Sequence, residues 1–87
     1  MRVWGKEIKD NHLLRDVVIS TEGSDTRTHK IFQSLEKICL KFDLSKPIWL
    51  DNNISDLQMH RKTRFTQDSF IETIPFDYLE FQIIEED

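Results

Sequence analysis

The chain has 87 residues, a net charge of −4, two glycines and one cysteine, with 38% hydrophobic and 32% charged residues. This size and mixture predict one globular domain covering residues 1–87. One cysteine excludes an intramolecular disulfide and a cysteine-based zinc or iron–sulfur centre, and two glycines exclude a phosphate-cradling loop. The longest apolar runs are about three residues. We therefore expect no leader peptide, no membrane contact and a cytoplasmic location.

The first two elements are predicted to be strands that form a hairpin. Residues 2–9 and 13–21 are rich in Val, Ile and Trp, and Asp10-Asn11-His12 between them favours a turn. In the second strand Leu13, Val17 and Ile19 are assigned to one face. The alternation in the first strand is imperfect, so its inward face stays undetermined.

A long helix is predicted next, with Ser24 or Asp25 as its N-cap. Its apolar stripe should cover the hairpin, because the stripe residues recur at helical spacing. The residues of that stripe are Ile31, Phe32, Leu35, Ile38, Cys39 and Phe42. Pro47 prevents much continuation, so the helix should end near Asp43.

The second half of the chain gives weaker patterns until its final strand. Residues 47–50 predict a short strand, Ser55 a cap for a short helix carrying Leu57 and Met59, and residues 66–71 a helical turn. The segment 78–85 alternates, with Leu79, Phe81 and Ile83 on one face. A strand that is acidic at Glu80 should pair with the basic first strand.

Ser24-Asp25-Thr26 at the helix start and Gln67-Asp68-Ser69-Phe70 before the last strand occupy positions that resemble those of the ubiquitin-like β-grasp superfamily. The order hairpin, helix, strand, crossover and strand has the same resemblance over the whole chain. It implies an α+β fold with a mixed sheet and one long helix packed across it. It also implies that the last strand lies beside the first and parallel to it.

Signatures of chemistry are missing from the sequence. The three histidines, His12, His29 and His60, lack a second ligand at helical spacing, and the apparent calcium loop at residues 51–62 has Asp56 and Lys62 where glycine and glutamate are needed. The chain ends Ile84-Glu-Glu-Asp87, without the Gly-Gly that a conjugated or sulfur-carrying ubiquitin-like protein requires. We expect no catalytic residues, no metal and no cofactor.

One cluster predicts a binding site. Three bases and an aromatic ring fall within six residues, with a tryptophan upstream, which suits an acidic protein partner or the phosphates and bases of a nucleic acid. The cluster residues are Trp49, His60, Arg61, Lys62, Arg64 and Phe65. The net charge of −4 disfavours nucleic acid, and a solvated loop or internal ion pairs would explain the same bases.

The sequence therefore predicts a small, non-catalytic, cytosolic protein-interaction module. The alternative is a nucleic-acid-binding accessory protein that uses the basic cluster at residues 60–65. Trp4 and Trp49 are expected in the core, although an exposed tryptophan would indicate a binding anchor. A homodimer through the free edge of the second strand stays open. The same features fit small bacterial protein families.

Overall fold

A computed structural model describes residues 1–86. The described chain forms four strands and two α-helices in the order β1 (Arg2–Lys9), β2 (His12–Ser20), α1 (Arg27–Phe42), α2 (Asp51–His60), β3 (Lys62–Thr66) and β4 (Tyr78–Glu85). A 3₁₀ turn at Gln67–Ser69 follows β3. The protein is thus α+β, as predicted.

The four strands form one fully antiparallel sheet in the order β2-β1-β4-β3. The prediction that β4 lies beside β1 is confirmed, but the parallel direction is wrong. Residues 67–77 bring the chain from the end of β3 back to the start of β4, so β4 returns alongside β3 in the opposite direction. The mixed sheet expected from the β-grasp resemblance is not formed, and that fold is not confirmed.

The hairpin of β1 and β2 is confirmed, and its turn has a specific backbone reason. Asp10 and Asn11 both adopt the left-handed conformation, with φ of 51° and 62°. Two consecutive residues of this kind match the twist of the flanking strands, and Asx residues tolerate the conformation well. Val3, Gly5 and Glu7 form the inward face of β1 that the sequence left undetermined. In β2, Val17 and Ile19 share the inward side, but the prediction that Leu13 joins them is wrong, because the register shifts between Glu7 and Ile8 and pairs Leu13 with Ile8.

Helix α1 ends where the sequence predicted but begins one or two residues later. Its N-cap is Thr26, whose hydroxyl accepts from the backbone N–H of His29 at 3.2 Å, instead of Ser24 or Asp25. Asp43 closes the helix in the left-handed conformation. The helix crosses the sheet at Gly5, where a Cβ atom would lie 2.8 Å from Ile38.

The region of residues 47–66 differs most from the prediction. Residues 47–50 form no strand. The ring of Trp49 in this segment packs edge-on against Phe65 at a centroid distance of 4.9 Å. Helix α2 begins at Asp51, so Ser55 does not cap it. Strand β3 was not predicted, while the helical turn after it is confirmed as the 3₁₀ segment.

One apolar core lies between the sheet and the helices. It includes Val3, Leu35, Ile38, Phe65, Leu79, Phe81 and Ile83, all of them fully or almost fully buried. Leu79, Phe81 and Ile83 share the inward face of β4, as the alternation predicted. None of the helices among residues 1–86 is long and apolar enough to cross a bilayer.

Candidate protein-binding surface

Within residues 1–86 the sheet has one face that no helix covers. Gly5 faces α1, so the alternate residues of β1 and their cross-strand neighbours point to the other side. The registers of the three strand pairs arrange these neighbours in three rows, each running across β2, β1, β4 and β3. The rows are Val18-Trp4-Gln82-Lys62, Asp16-Lys6-Glu80-Arg64 and Leu13-Ile8-Tyr78-Thr66. We call these twelve residues the open face.

The open face carries a large apolar surface for a sheet that has no covering layer. Trp4, Ile8 and Tyr78 lie on the two central strands and are each half-buried. Leu13 and Val18 on β2 are 50% and 42% exposed. Exposed apolar and aromatic groups on a rigid, flat scaffold are typical of a protein-binding surface.

Trp4 is held in place by its neighbours. Its indole N–H donates to Asp16 Oδ2 at 2.8 Å, and Lys6 Nζ lies 3.8 Å from the centre of its ring. An indole fixed by a hydrogen bond and by a cation loses little conformational entropy when a partner covers it. Trp4 is therefore a preorganised contact residue.

The middle row of the open face consists of alternating charges. Lys6 Nζ lies 2.8 Å from Glu80 Oε2, and Arg64 Nε lies 3.6 Å from Glu80 Oε1. The guanidinium of Arg64 also stacks on Tyr78 at 4.5 Å. The predicted pairing of Glu80 with the basic first strand is confirmed.

Glu80 stays ionised in this row although it is nearly buried. Burial raises the pKa of its carboxyl, but the hydrogen bond and charge of Lys6, with the charges of Lys62 and Arg64, act in the opposite direction. The net result is a pKa below the ordinary value. The row therefore keeps both signs of charge at neutral pH.

Of the six residues predicted as one binding cluster, the structure brings His60, Lys62 and Arg64 to one groove and places the other three elsewhere. Phe65 is fully buried and cannot contact a partner. Trp49 is half-buried on the helix side, with centroid distances of 4.9 Å to Phe65 and 5.9 Å to Phe32. Arg61 caps α2 and lies 3.8 Å from Glu86. Lys62 and Arg64 belong to the open face.

His60 lies beside the open face in a polar groove of about 370 Å³ between α2 and β3. Its neighbours there include Asn52 and Asp56, and Asp56 already accepts a hydrogen bond from Thr63 at 3.3 Å. Among residues 1–86, no three histidine, cysteine or acidic side chains are grouped so that they could hold a metal ion.

The two tryptophans thus lie on opposite sides of the sheet. Trp49 lines a second, mostly apolar groove of about 290 Å³ between α1 and α2, next to the exposed Phe32 and Ile54. Sequence reasoning missed the open face as a site because it expected Trp4 in the core. The alternation of Trp4, Lys6 and Ile8 with Val3, Gly5 and Glu7 was the available signal.

Comparison of the chain with protein-family models, with curated proteins and with solved structures gives no significant match.

Proposed function

We propose that this protein is a small, non-catalytic protein-binding module whose contact surface is the open face. The observation that carries the proposal is the uncovered side of the sheet, with Trp4 and Tyr78 half-buried on its two central strands. Aromatic residues and arginine are the side chains that most often dominate binding energy at protein interfaces. The open face also has such an arginine, because Arg64 stacks on the ring of Tyr78.

We place this protein in the cytoplasm, but we do not propose that it is a ubiquitin-like module. Cys39 is a buried free thiol, which suits a reducing compartment. The antiparallel pairing of β1 with β4 removes the main reason for relating the protein to ubiquitin-like modules. The proposed function depends on the surface alone.

Capture from a native lysate by a tagged chain tests the proposal when open-face variants are compared with a control. We expect Trp4→Ala and Tyr78→Ala each to reduce capture of the wild-type partner at least about tenfold, the effect of losing an aromatic contact of 1.4 kcal/mol or more. Phe32→Ala is the matched control, because Phe32 is 50% exposed but lies on α1. Circular dichroism verifies that each variant is folded.

Two results would count against the open face. Capture that is unchanged in both Trp4→Ala and Tyr78→Ala would remove it as the binding surface. Capture that is lost only in Phe32→Ala would transfer the function to the groove between α1 and α2.

Nucleic-acid binding is a second candidate, and one observation favours it. Lys62 and Arg64 share the open face with the aromatic rings of Trp4 and Tyr78, and single strands bind surfaces that combine bases with stacking rings. Mobility shifts with single-stranded RNA and DNA across salt concentrations decide this candidate. No shift at low salt removes it, whereas binding that weakens with salt and with Lys62→Ala supports it.

A further inference from the structure

We infer that the protein covering the open face is a second copy of this chain, packed face to face around a two-fold axis parallel to the strands. This inference rests on the proposed function of the open face. Its basis is the middle row, in which Asp16, Lys6, Glu80 and Arg64 follow one another across β2, β1, β4 and β3. The signs along the row are negative, positive, negative and positive.

When the order of these four residues is reversed in a facing copy, each charge stands opposite a charge of the other sign. A two-fold axis parallel to the strands, between β1 and β4, places β2 over β3 of the second copy and β1 over β4 of the second copy. Asp16 then faces Arg64 of the second copy, and Lys6 faces Glu80 of the second copy. All four charges of the row face an opposite charge, and the symmetry repeats each contact. The exposed Asp16 and Arg64 make the main contacts, since the side chains of Lys6 and Glu80 are only 13% and 11% exposed.

The other in-plane two-fold axis is unfavourable. An axis that runs across the strands along the middle row would place Asp16, Lys6, Glu80 and Arg64 each against its own copy. Four like-charge contacts at a partly dehydrated interface are strongly repulsive. Charge therefore favours the axis parallel to the strands over the axis that runs across them.

The outer rows are compatible with the favoured axis. Ile8 faces Tyr78 of the second copy, and Trp4 faces Gln82 of the second copy. Lys62, which is exposed at the edge strand, faces Val18 of the second copy and keeps its ammonium in water. Two antiparallel sheets commonly pack face to face with their strands within about 30° of each other. The apolar side chains of the outer rows would then flank a charged centre.

The available area suits a reversible dimer. Four strands about 4.8 Å apart and eight residues of about 3.3 Å each give the face a flat outline of about 500 Å², which sets the scale of the surface that a partner can bury. Standard interfaces bury about 800 Å² on each partner, and crystal-packing contacts mostly bury less than about 400 Å². The open face falls between these values.

The unpaired edge of β2 is a weaker candidate than the open face for contact with a second copy. Strand β3, the other edge, is closed by Asn53 of α2, whose amide donates to the backbone carbonyl of Arg64 at 3.0 Å. No comparable side-chain bond is seen on the outer side of β2 within residues 1–86. However, an antiparallel pairing of β2 with its own copy that is centred on Asp16 would place the two Asp16 carboxylates against each other.

Sedimentation of the full chain over a range of concentrations, with two charge reversals, tests the inference. Asp16→Lys and Arg64→Glu should each weaken the self-association of the wild-type chain at least about tenfold, because each turns two attractive contacts into repulsive ones. An equimolar mixture of the two variants should recover association, since Lys at position 16 then faces Glu at position 64, and the native pair remains on the other side.

The mixture separates a loss of contact from a loss of folding. A variant that merely unfolds is not rescued by a different folded variant. Lys37→Glu is the matched control, because Lys37 is exposed on α1, and it should associate like the wild type. Arg64 lies on β3, away from the edge of β2, so an effect of Arg64→Glu excludes pairing of two β2 strands.

Each result has a defined meaning. A wild-type chain that stays monomeric up to millimolar concentration overturns the second copy as partner. A dimer that withstands both single reversals, or reversed variants that do not associate on mixing, overturns the proposed axis. In either case the proposed function would persist if Trp4→Ala still abolished capture of a different protein, and would fail if capture were insensitive to the open face.

Discussion

Lys6 and Glu80 form an ion pair of 2.8 Å at the centre of the uncovered sheet face, with only 13% and 11% of their side chains exposed. A pair this dehydrated is costly to break, because the remaining charge loses its partner but does not regain water. We expect Glu80→Gln to lower the free energy of unfolding by about 2 kcal/mol.

Chemical denaturation measures this change against a matched surface pair. Glu85 is 64% exposed and lies 3.4 Å from Arg2, so Glu85→Gln should change the free energy of unfolding by about 0.5 kcal/mol or less. Equal effects of the two substitutions would show that the Lys6–Glu80 pair is solvated in solution.

The same ion pair makes the free energy of unfolding depend on pH in the acidic range. The folded-state pKa of Glu80 lies below its ordinary value of about 4.5, so its contribution is present above that value and is lost as the pH falls through the folded-state pKa. The difference in unfolding free energy between wild type and Glu80→Gln should be constant above about pH 6 and shrink below about pH 4.5. A difference that grows on acidification would contradict this sign.

The crossing of α1 over the sheet depends on the missing side chain of Gly5. A Cβ atom there would lie 2.8 Å from both Cδ1 and Cγ2 of Ile38, so Gly5→Ala should destabilise the protein by about 1–3 kcal/mol. In the background of Ile38→Ala the same change should cost almost nothing, because the clashing atoms are gone. Additive costs in thermal or denaturant unfolding would show that the helix does not cross at this point.

Asn53 joins α2 to β3 through a fully used side chain. Its amide donates to Thr63 Oγ1 at 2.9 Å and to the Arg64 carbonyl at 3.0 Å, and its Oδ1 accepts from the Leu50 N–H at 3.0 Å. Asn53→Ala should cost about 2 kcal/mol and speed hydrogen exchange in β3. Asn52→Ala, at an exposed neighbouring position, should change stability by about 0.5 kcal/mol or less.

The thiol of Cys39 should be unreactive in the native protein. It is 2% exposed, and burial raises its pKa to about 11, so only about one molecule in a thousand carries the thiolate at pH 8. A thiol reagent should therefore react slowly with the folded chain and rapidly in denaturant. Equal rates in both conditions would contradict the burial of Cys39.

The sequence predicted the elements whose local pattern is strong. The hairpin, α1, the 3₁₀ turn and β4 all follow from turn residues, helical spacing or alternation. Strand β3 was missed because Lys62, Arg64 and Thr66 leave only Thr63 and Phe65 as inward residues. The direction of β4 could not be predicted, since strand direction depends on how the chain crosses between elements and not on alternation.

The open face was harder to predict than the core. Alternation places Trp4, Lys6 and Ile8 on one side of β1, but it does not say which side the helices cover. Gly5 determines which side is covered. Helix α1 can approach the side of β1 that Gly5 faces, because Gly5 has no side chain to clash with Ile38. Only part of the predicted cluster is brought together, His60 with Lys62 and Arg64, because a strand sends Arg64 and Phe65 to opposite faces.

The two indole N–H signals in a nitrogen–proton correlation spectrum test most directly whether the open face contacts a second copy of the chain. Unlabelled chain is added to a fixed amount of labelled chain, so that only contact with a second copy changes. We predict that the indole signal of Trp4 shifts progressively while that of Trp49, on the helix side, stays in place. A shift confined to Trp49, or no shift of either signal up to millimolar concentration, would contradict the contact.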